Sequence, residues 1–595
     1  MRPPVSCLWF QGFMAEVHEA QERAGQPAAR RVPVWAWGVA GLLVLVVAAA
    51  LFVPPVALVR RLGGAYVTLD ATHPAYFHPD GLAVSLVDGS SRSLSVEVTS
   101  LPREAFLDDA AGGAWQRARA ALPGGLVPLS PIYTLRTLGR VPLAAEMAIP
   151  NNAEPLERLA LYRWNARAGI WEFVPSRVDV VRQIIAFQPE APFFSVMAVH
   201  VELAEPVIAL VISPGSSAAG IEIDLALPEG VHIDEAGALV GLPAEVAAPA
   251  VLPLVENRIG GVTTYVEPVR QNLLGELLPL AAAYDGLALD FAEGAGYTGF
   301  IAALAEQLHA QGKALHVVLR PADLAEGDLS GLGRAAHDPA AYTEGGAVGE
   351  MLARLVNQVD RSRAGLLVGS FSVDMASAGS VPLSFEQAAA LFGEVQVVPG
   401  YLDAGTSQVI AGSILPLRLT ARVESMGFDA ALGMSYLTYH DETGDLHHVY
   451  LASAQDLARR LEWVRRYALG AVAVSGLAYP DAPDGLEAGL TAFLSEQPAG
   501  APAELSIVWQ VQPPSGQPGT EQVGGLDLLQ YVWDVPAEPG QYTLLALVRA
   551  GAEESLRGQV TVEVIQSGSA SPAGEDRVLF SIPLLGAAAS VEGAG

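Results

Sequence analysis

The hydrophobic and polar positions of the chain follow a period of two in its first large region. From residue 65 to about 200, short apolar runs alternate with polar positions and are broken by Gly, Pro, Asn and Asp, as in PDGLAVSLVDGSSRSLSVEV. This pattern predicts an antiparallel β-sandwich with a spacer-like role. Tyr162, Trp164 and Trp171 lie in it, either as cross-strand core pairs or as a platform on which a sugar stacks.

The pattern changes from about residue 205 to 495, where apolar strand-like runs alternate with amphipathic helix-like stretches. The rhythm predicts a parallel sheet closed by helical crossovers, a (β/α)8 TIM-like barrel with its ligand site at the C-terminal ends of the strands. The clearest predicted strands are 250–257, 284–291, 314–319, 364–371 and 471–474. The clearest predicted helices are 271–283, 297–311, 351–359 and 457–467.

Period-two alternation returns in 502–565, where Trp509, Trp533 and Tyr542 occupy strand-like runs. We therefore expect a C-terminal Ig-like β-sandwich, followed by a flexible tail at 568–595. The fold class that the whole pattern predicts is multidomain, α/β plus all-β.

The apolar stretch 34–59 contains no charged residue and is long enough to cross a bilayer. It is longer than the apolar region of a cleaved signal peptide and ends in Pro-Pro and Arg-Arg, which favours an uncleaved single-pass anchor. The arginines on its two sides favour a cytoplasmic tail at 1–33 and an extracytoplasmic remainder. Met1 and Met14 are both candidate start residues.

Charge and cysteine content exclude two classes of function. The net charge of −30 argues against nucleic acid as a partner, because neutralising phosphates requires Lys and Arg. The single cysteine, Cys7, precedes the predicted anchor, so the region beyond it has no disulfide and no thiol chemistry.

The strongest candidate for chemistry is the segment YDGLALDFAE at 284–293. Asp290 ends the predicted strand at the ligand-binding rim of the barrel. Because side chains alternate along a strand, positions 288, 290 and 292 share one side and Glu293 points to the other.

This segment resembles the catalytic strand of family-18 glycoside hydrolases (chitinase-like), whose pattern is Asp-Gly-x-Asp-x-Asp-x-Glu. The resemblance covers roughly 220–495 and is closest to the spore-germination and peptidoglycan-associated branch. It also rests on the segments 300–315, 436–450 and 461–477, which resemble a helix and strand, a hairpin, and the last helix and strand of that family.

The resemblance implies substrate-assisted hydrolysis, in which the N-acetyl oxygen of the sugar attacks, a Glu donates a proton and an Asp orients the acetamide. Here Asp290 matches the orienting residue, but Ala292 stands at the proton donor's position. The Met-x-Tyr-Asp strand that grips the acetamide has no counterpart in 331–342, and Ser475 stands where a Trp forms the floor of the sugar site. Glu293 becomes an acid only if a β-bulge re-aims it.

Four further residues are candidate substrate contacts: Tyr284, Asp285, Tyr436 and Tyr439. Asp285 also has a structural interpretation, since it precedes Gly286. The acids and histidines of 440–448 are better explained by a hairpin that turns at Gly444 than by a metal site. We expect no metal and no cofactor.

These observations predict a membrane-anchored envelope protein with a degenerate family-18-like barrel that binds a glycan or cell-wall polymer without cutting it. The alternatives are a glycosidase acting on N-acetylhexosamine polymers through Asp290 and Glu293, and a protein-assembly module with unknown protein partners. Aromatic residues at the barrel mouth would favour binding. A carboxylic acid facing Asp290 from another strand would favour catalysis, and a filled mouth would favour assembly.

Overall fold

The computed structural model describes most of the chain beyond residue 65. The described residues are 66–87, 93–108, 112–138, 142–190, 193–202, 205–216, 221–258, 260–320, 329, 338–342, 348–377, 379–402, 406–430, 432–477, 485–501, 504–516 and 519–566. The predicted anchor at 34–59, Cys7 and the predicted tail at 568–595 lie outside them. No helix in the described part is both long and apolar enough to span a bilayer.

The first described region is a sandwich of two antiparallel sheets. One sheet has the order β1-β4-β6-β12-β8-β9, with β5 also on β12, and the other has the order β10-β11-β7-β3-β2. Alternate residues such as Leu82, Val84 and Leu86 fill the core between them. The strands are β1 Val67–Leu69, β2 Ala75–Phe77, β3 Leu82–Leu86, β4 Leu94–Leu101, β5 Leu126–Pro128, β6 Ile132–Leu138, β7 Leu143–Ala148, β8 Leu159–Asn165, β9 Ile170–Val174, β10 Ser176–Asp179, β11 Ile184–Phe187 and β12 Phe193–Val201, with helices α1 Arg103–Leu107 and α2 Gly113–Ala120 between β4 and β5.

The three aromatic residues singled out in the sequence, Tyr162, Trp164 and Trp171, pack in the sandwich. Trp164 and Trp171 face each other across β8 and β9, with ring centroids 5.6 Å apart. Trp171 and Tyr162 are buried, and the indole N–H of Trp171 donates to the carbonyl of Ala118. A sugar-stacking platform on these rings is therefore not supported.

The barrel begins at β13 and continues through short strands and three long helices. Its strands are β13 Val207–Ile212, β14 Leu225–Pro228, β15 Val231–Ile233, β16 Leu239–Gly241, β17 Ala250–Val251, β18 Leu254–Glu256, β19 Gly286–Asp290, β20 Ala314–Leu319, β21 Asp338–Tyr342 and β22 Gly365–Gly369. Its helices are α3 Val269–Ala282, α4 Tyr297–Ala310 and α5 Val348–Gln358.

A long insertion follows β22 before the barrel is completed. The insertion contains β23 Ser372–Ala376, β24 Gly379–Leu383, α6 Phe385–Ala389, β25 Val395–Val397, β26 Gln408–Ile410, β27 Ile414–Leu419, β28 Ser425–Asp429, β29 Met434–His440 and β30 Leu446–Leu451. The barrel resumes with α7 Ala454–Tyr467, β31 Ala471–Ser475 and α8 Glu487–Leu494. The C-terminal strands are β32 Leu505–Gln512, β33 Thr520–Gly524, β34 Gln530–Asp534, β35 Gly540–Ala550 and β36 Glu553–Ile565. Short 3-10 turns occur at Leu156–Arg158, Arg361–Arg363, Ala390–Phe392 and Leu526–Leu529.

In the described residues, parallel pairing closes a ring of eight strand segments. The segments follow one another in chain order as β13, β14 with β15, β17 with β18, β19, β20, β21, β22 and β31, and β31 pairs with β13. Two details differ from the predicted (β/α)8 arrangement. No helix occurs in the residues described between Ile212 and Ala250, and the third strand is divided at Pro253, which has no backbone N–H to donate.

The barrel strands bury both of their faces, as parallel strands do. Small and medium apolar residues such as Ala288, Leu254 and Val318 form the interior cluster. Leu287 and Leu289 belong to the outer cluster beneath the helices. The interior leaves a cavity of only about 20 Å³, so a ligand has to bind above this layer, at the ends of the strands.

The predicted Ig-like domain is not present as an independent unit. The C-terminal strands form one sheet with the order β26-β36-β35-β32-β33 and share another with the order β25-β27-β34. Three strands of these sheets come from the barrel insertion, and the two regions share one hydrophobic core around Trp509, Phe392 and Leu437. The alternation in 502–565 predicts strands correctly, but it cannot show that some of their partners lie far upstream, as Leu415 does for Trp533 and Val409 does for Val564.

Candidate functional site

The C-terminal ends of the barrel strands bring a carboxylate pair together. Asp290 ends β19 and is only 6% exposed. Its side chain shares the inward face of the strand with Ala288, which packs in the interior cluster. Glu256 ends the neighbouring β18 and is the register partner of Asp290. Two acids on adjacent strands therefore meet at the mouth.

Asp290 is held by two arginines. Arg258, which follows β18, donates through Nε to one carboxylate oxygen. Arg320, which follows β20, donates through Nη2 to the other oxygen at 2.7 Å. Charge-assisted pairs of this kind are among the strongest hydrogen bonds in proteins. Asp290 could therefore orient a substrate acetamide only if the acetamide displaced one of the two guanidiniums or shared a carboxylate oxygen with it.

Ala292, at the family's proton-donor position, is fixed through its backbone. Its N–H donates to Oδ1 of Asn257 at 2.8 Å, and its carbonyl accepts from the hydroxyl of Tyr265 at 2.6 Å. Asn257, which is 1% exposed, also donates to the Tyr265 oxygen at 2.7 Å. A shift of the strand register at Ala292 would break both hydrogen bonds of its backbone. Leaving backbone groups unpaired in this way costs stability.

Glu293 lies half-buried in the loop between β19 and α4. The pairing of β19 with β18 and β20 shows no bulge in the described residues. The next residue, Gly294, approaches the carbonyl of Thr263 so closely that a Cβ would lie 1.9 Å from it. The backbone around Glu293 is thus tightly packed, and its assignment as an acid stays a prediction that this geometry does not favour.

Glu256 is the functional candidate that the motif comparison missed. Partial burial and the nearby carboxylates of Glu229 and Asp290 raise the pKa of Glu256, although Arg320 and Arg258 oppose the shift. Glu229 follows β14 and accepts a hydrogen bond from Ser213. A carboxyl group with a raised pKa beside an ion-paired carboxylate has the form of an acid–base pair. The signal was available in the sequence, since Glu256 lies near the end of a predicted strand.

The aromatic residue Phe371, which follows β22, lies at the mouth between the ends of β22 and β31. Ser475 is buried, and its Oγ has no partner in the described part of the chain. Its carbonyl accepts from the backbone N–H and the hydroxyl of Ser370, each at 2.8 Å. The ring of Phe371 packs over Gly369 and Gly476, where an added Cβ would lie 3.2 Å and 2.7 Å from it. Phe371 therefore occupies the region where the resemblance predicted a Trp from the last strand.

The structure separates Tyr284 and Asp285 from Asp290. Both precede β19, at the opposite end of the barrel. A carboxylate oxygen of Asp285 accepts from the N–H of Val251 at 2.9 Å, and its backbone exchanges hydrogen bonds with Val251 and Ala314. These contacts support the structural interpretation of Asp285. A substrate-binding role for the two residues stays a prediction without geometric support.

Tyr436 and Tyr439 lie on β29, in the antiparallel sheet β24-β23-β30-β29-β28 of the insertion. Tyr436 packs against Tyr450, with ring centroids 6.3 Å apart. Tyr439 is buried, and its hydroxyl donates to Asp374 at 2.8 Å. Partial burial and Asp374 raise the pKa of Tyr439 to about 12. This hydroxyl is committed to a structural cluster, and its role in substrate binding stays a prediction.

His447 completes the cluster around Tyr439. Its Nδ1 lies 2.8 Å and 2.9 Å from the two oxygens of Asp374, its Nε2 lies 3.6 Å from Asp441, and its ring stacks on Tyr439 at 4.6 Å. Partial burial lowers the pKa of His447, but Asp374 and Asp441 outweigh that effect and raise it. The predicted hairpin is present, with Gly444 in the turn at φ 89°. Within the described residues, no group of His, Cys, Asp and Glu has the arrangement of a metal site.

Similarity to known proteins is confined to the three-dimensional structure. No protein-family model matches the chain, and no curated protein matches its sequence. Structural neighbours include a chitinase from Chromobacterium violaceum, with 16% identity, a TM-score of 0.36, and coverage of 49% of this chain and 99% of that chain. A spore cortex-lytic enzyme from Bacillus megaterium has 14% identity, a TM-score of 0.35, and coverage of 50% and 76%. A family-18 N-acetylglucosaminidase from Paenibacillus barengoltzii has 12% identity, a TM-score of 0.35, and coverage of 49% and 99%.

The structural neighbours are thus family-18 glycoside hydrolases and spore cortex-lytic enzymes, at low identity and over about half of this chain. TM-scores of this size identify neighbours without establishing a shared activity. The chemistry of this chain has to follow from its own residues.

Proposed function

We propose that the barrel mouth binds a glycan built of N-acetylhexosamine units, such as a cell-wall polymer, without hydrolysing it by the family-18 route. The protein would be anchored by residues 34–59 and would present the barrel outside the cell. The anchor and its orientation rest on the apolar stretch and its flanking arginines.

One observation supports this proposal most directly. At the strand end where a family-18 enzyme holds its acid and its orienting Asp, this chain has Ala292 and an Asp290 paired with Arg258 and Arg320. Alanine has no proton to donate, and loss of a general acid typically slows a reaction by about 10²- to 10⁴-fold. What remains at the mouth is an aromatic ring, Phe371, and polar groups able to bind sugar hydroxyls.

Binding is tested by titrating the full-length protein with chitooligosaccharides and peptidoglycan fragments in a calorimeter. We expect Phe371→Ala to weaken binding by at least about tenfold, because truncating an aromatic anchor in a binding site costs more than about 1.4 kcal/mol. Phe77→Ala is the matched control, since Phe77 is 75% exposed on the N-terminal sandwich. Absence of binding, or equal affinity for the two variants, would contradict the proposal.

Restoring the family's acid with Ala292→Glu is expected to leave the protein inactive toward the same glycans. Asp290 would still be engaged by its two arginines, so the acetamide would lack its orienting partner. Release of reducing sugar ends is the measurement. Appreciable turnover by the Ala292→Glu variant would show that the acid is the only missing part.

The second candidate function is hydrolysis with Glu256 as the proton donor. It is favoured by the position of Glu256 beside Asp290 and by its raised pKa. If the unchanged protein releases sugar ends, Glu256→Gln should reduce the rate by at least about 10²-fold. The rate should also fall as pH rises through the pKa of Glu256, because only the protonated form can donate.

Glu293→Gln is the control for that experiment. Loss of activity in this variant, with Glu256→Gln still active, would identify Glu293 as the acid. The reverse outcome would identify Glu256. Binding without any release of sugar ends supports the first proposal.

A further inference from the structure

Three nitrogen-rich side chains meet where the N-terminal sandwich contacts the outside of the barrel. Arg158 ends the turn before β8, His200 lies near the end of β12, and Arg361 begins the turn after α5. Burial and the charges of Arg158 and Arg361 lower the pKa of His200, although Glu202 opposes the shift. Each arginine is therefore within electrostatic reach of His200.

Arg361 joins the two regions and is almost completely buried, at 2% exposure. Its Nη2 donates to the carbonyls of Glu157 and Leu159 at 2.8 Å and 2.9 Å. Burial lowers the pKa of this guanidinium to about 10, although Tyr162 and Asp360 favour its charged form. The positive charge thus lies in a poorly solvated place.

Several nitrogens of this seam lack an acceptor. Nε and Nη1 of Arg361, Nε of Arg158 and Nε2 of His200 are buried and have no hydrogen-bond partner in the described part of the chain. Buried polar atoms are nearly always paired, so such a group calls for a bound water or ion. Two of these four atoms belong to the guanidinium of Arg361, whose positive charge favours an anion as the missing acceptor.

Two acids near the seam, Glu157 and Asp360, are already engaged, whereas Glu154 lines the crevice and Glu202 acts on His200. The carboxylate of Glu157 accepts from Nε of Arg466 at 2.8 Å. Asp360 accepts from the hydroxyl of Tyr162 at 2.9 Å and from the hydroxyl of Ser362 at 2.8 Å. These carboxylates therefore do not satisfy the free nitrogens of Arg361.

A crevice of about 370 Å³ opens at the same seam, and Arg361 forms part of its wall. Glu157 and Leu159, whose carbonyls hold Arg361, line it as well. Much of the remaining wall is apolar and includes Pro155, Leu156, Val178 and Val356. Small-molecule sites typically combine such a volume, a domain interface, apolar walls and a few polar groups.

We propose that this crevice binds a small carboxylate with an apolar chain, its carboxylate at Arg361 and its chain against the apolar wall. The charged end supplies the acceptor that the buried nitrogens lack. The hydrocarbon end replaces water along the wall contributed by the sandwich and α5. The site is separate from the barrel mouth and does not depend on the proposed glycan binding.

The test is calorimetric titration of the full-length protein with hexanoate, hexanol and acetate. We expect measurable binding of hexanoate, no detectable binding of hexanol, and weaker binding of acetate than of hexanoate. Absence of hexanoate binding would mean that the buried nitrogens hold water only. Equal binding of hexanol would show that the carboxylate charge does not contribute to binding. Acetate binding as tight as that of hexanoate would remove the role of the apolar wall. Each of these results overturns the proposal.

A variant locates the site without removing the structural Arg361. Asn357 lines the crevice from α5, and Asn357→Asp places a negative charge on the wall of the crevice that Arg361 also lines. We expect it to weaken hexanoate binding by at least about tenfold, because like charges repel and the new carboxylate competes for Arg361. Gln358→Glu adds the same charge at the next, exposed position and should leave affinity unchanged. Equal affinity for the two variants would place hexanoate elsewhere and overturn the proposal.

Discussion

The barrel mouth and the inserted sheet each contain a carboxylate with two close partners, but the partners differ in chemistry. Asp290 is paired with Arg258 and Arg320, which keep their charge at any physiological pH. Asp374 is paired with His447 and Tyr439, of which His447 changes charge near neutrality. The Asp290 cluster is therefore a fixed electrostatic unit, whereas the Asp374 cluster responds to pH.

The largest expected effect on the free energy of unfolding comes from a change in the Asp290 cluster. Asp290→Asn leaves two guanidiniums facing a neutral group, and breaking a partly buried ion pair from one side costs about 3 kcal/mol of unfolding free energy. The loss should be equal at pH 6 and pH 8 in urea unfolding, since arginine does not titrate there. Asp285→Asn, at the other end of the same strand, is the matched control. A loss of stability that changes between pH 6 and pH 8 would show that the Asp290 cluster is not independent of pH.

The corresponding change in the inserted sheet is Asp374→Asn. We expect it to cost about 1–2 kcal/mol at pH 6, where His447 is protonated and the bond is charge-assisted. The cost should be smaller at pH 8, where less of the histidine is protonated. Urea unfolding followed by the fluorescence of the C-terminal tryptophans measures both values. Equal costs at the two pH values would show that His447 does not titrate as the geometry implies.

His447→Gln isolates the pH response itself. The pKa of folded His447 is raised, so its stabilisation is complete below the unfolded pKa of about 6.5 and is lost as pH rises through the folded pKa. The unchanged protein should therefore be more stable at low pH by less than about 1 kcal/mol, because solvent screens the group. This contribution should disappear in the variant, as measured by unfolding midpoints between pH 6 and 8.

The smallest expected effect on stability comes from a change at Glu256, at the barrel mouth. The raised pKa of Glu256 means that its ionised form is disfavoured in the folded state, so Glu256→Gln should stabilise the protein at pH 7. The gain should stay below about 0.5 kcal/mol, because solvent reaches this partly buried side chain and screens its charge. It should fade as pH drops below about 4.5, where the unfolded chain is also protonated. Destabilisation at pH 7 would show that the arginines dominate at Glu256.

The barrel elements were predictable because each leaves a local periodic pattern. The predicted strand 314–319 coincides with β20, and the predicted helix 297–311 differs from α4 by one residue. Asp290 was placed correctly at the end of a strand on the inward side, since a period of two fixes the side. Such a periodic pattern can be recognised from residues that are close together in the sequence.

The rest of the site depended on pairing between distant segments. Arg258 and Arg320 lie 32 and 30 residues from Asp290, and no local pattern indicates that they share its carboxylate. Phe371 was found only because the structure places Gly369 and Gly476 beneath its ring. Arg361 was missed for a similar reason, because its partners lie on the sandwich about 200 residues away.

The exchange of strands between the insertion and the C-terminal sheets determines the order in which the protein can be completed during translation. Val409 pairs with Val564, and Leu415 pairs with Trp533, so the insertion leaves the ribosome long before its partners are synthesised. Until then, β26 lacks its pairing strand and β27 pairs only with β25. A chain that stops near residue 500 carries every barrel strand and still exposes this unfinished surface, which is a hazard for aggregation. The strands β32 to β36 therefore act as an intramolecular cap for the insertion, and a fragment that ends at the barrel boundary lacks this cap.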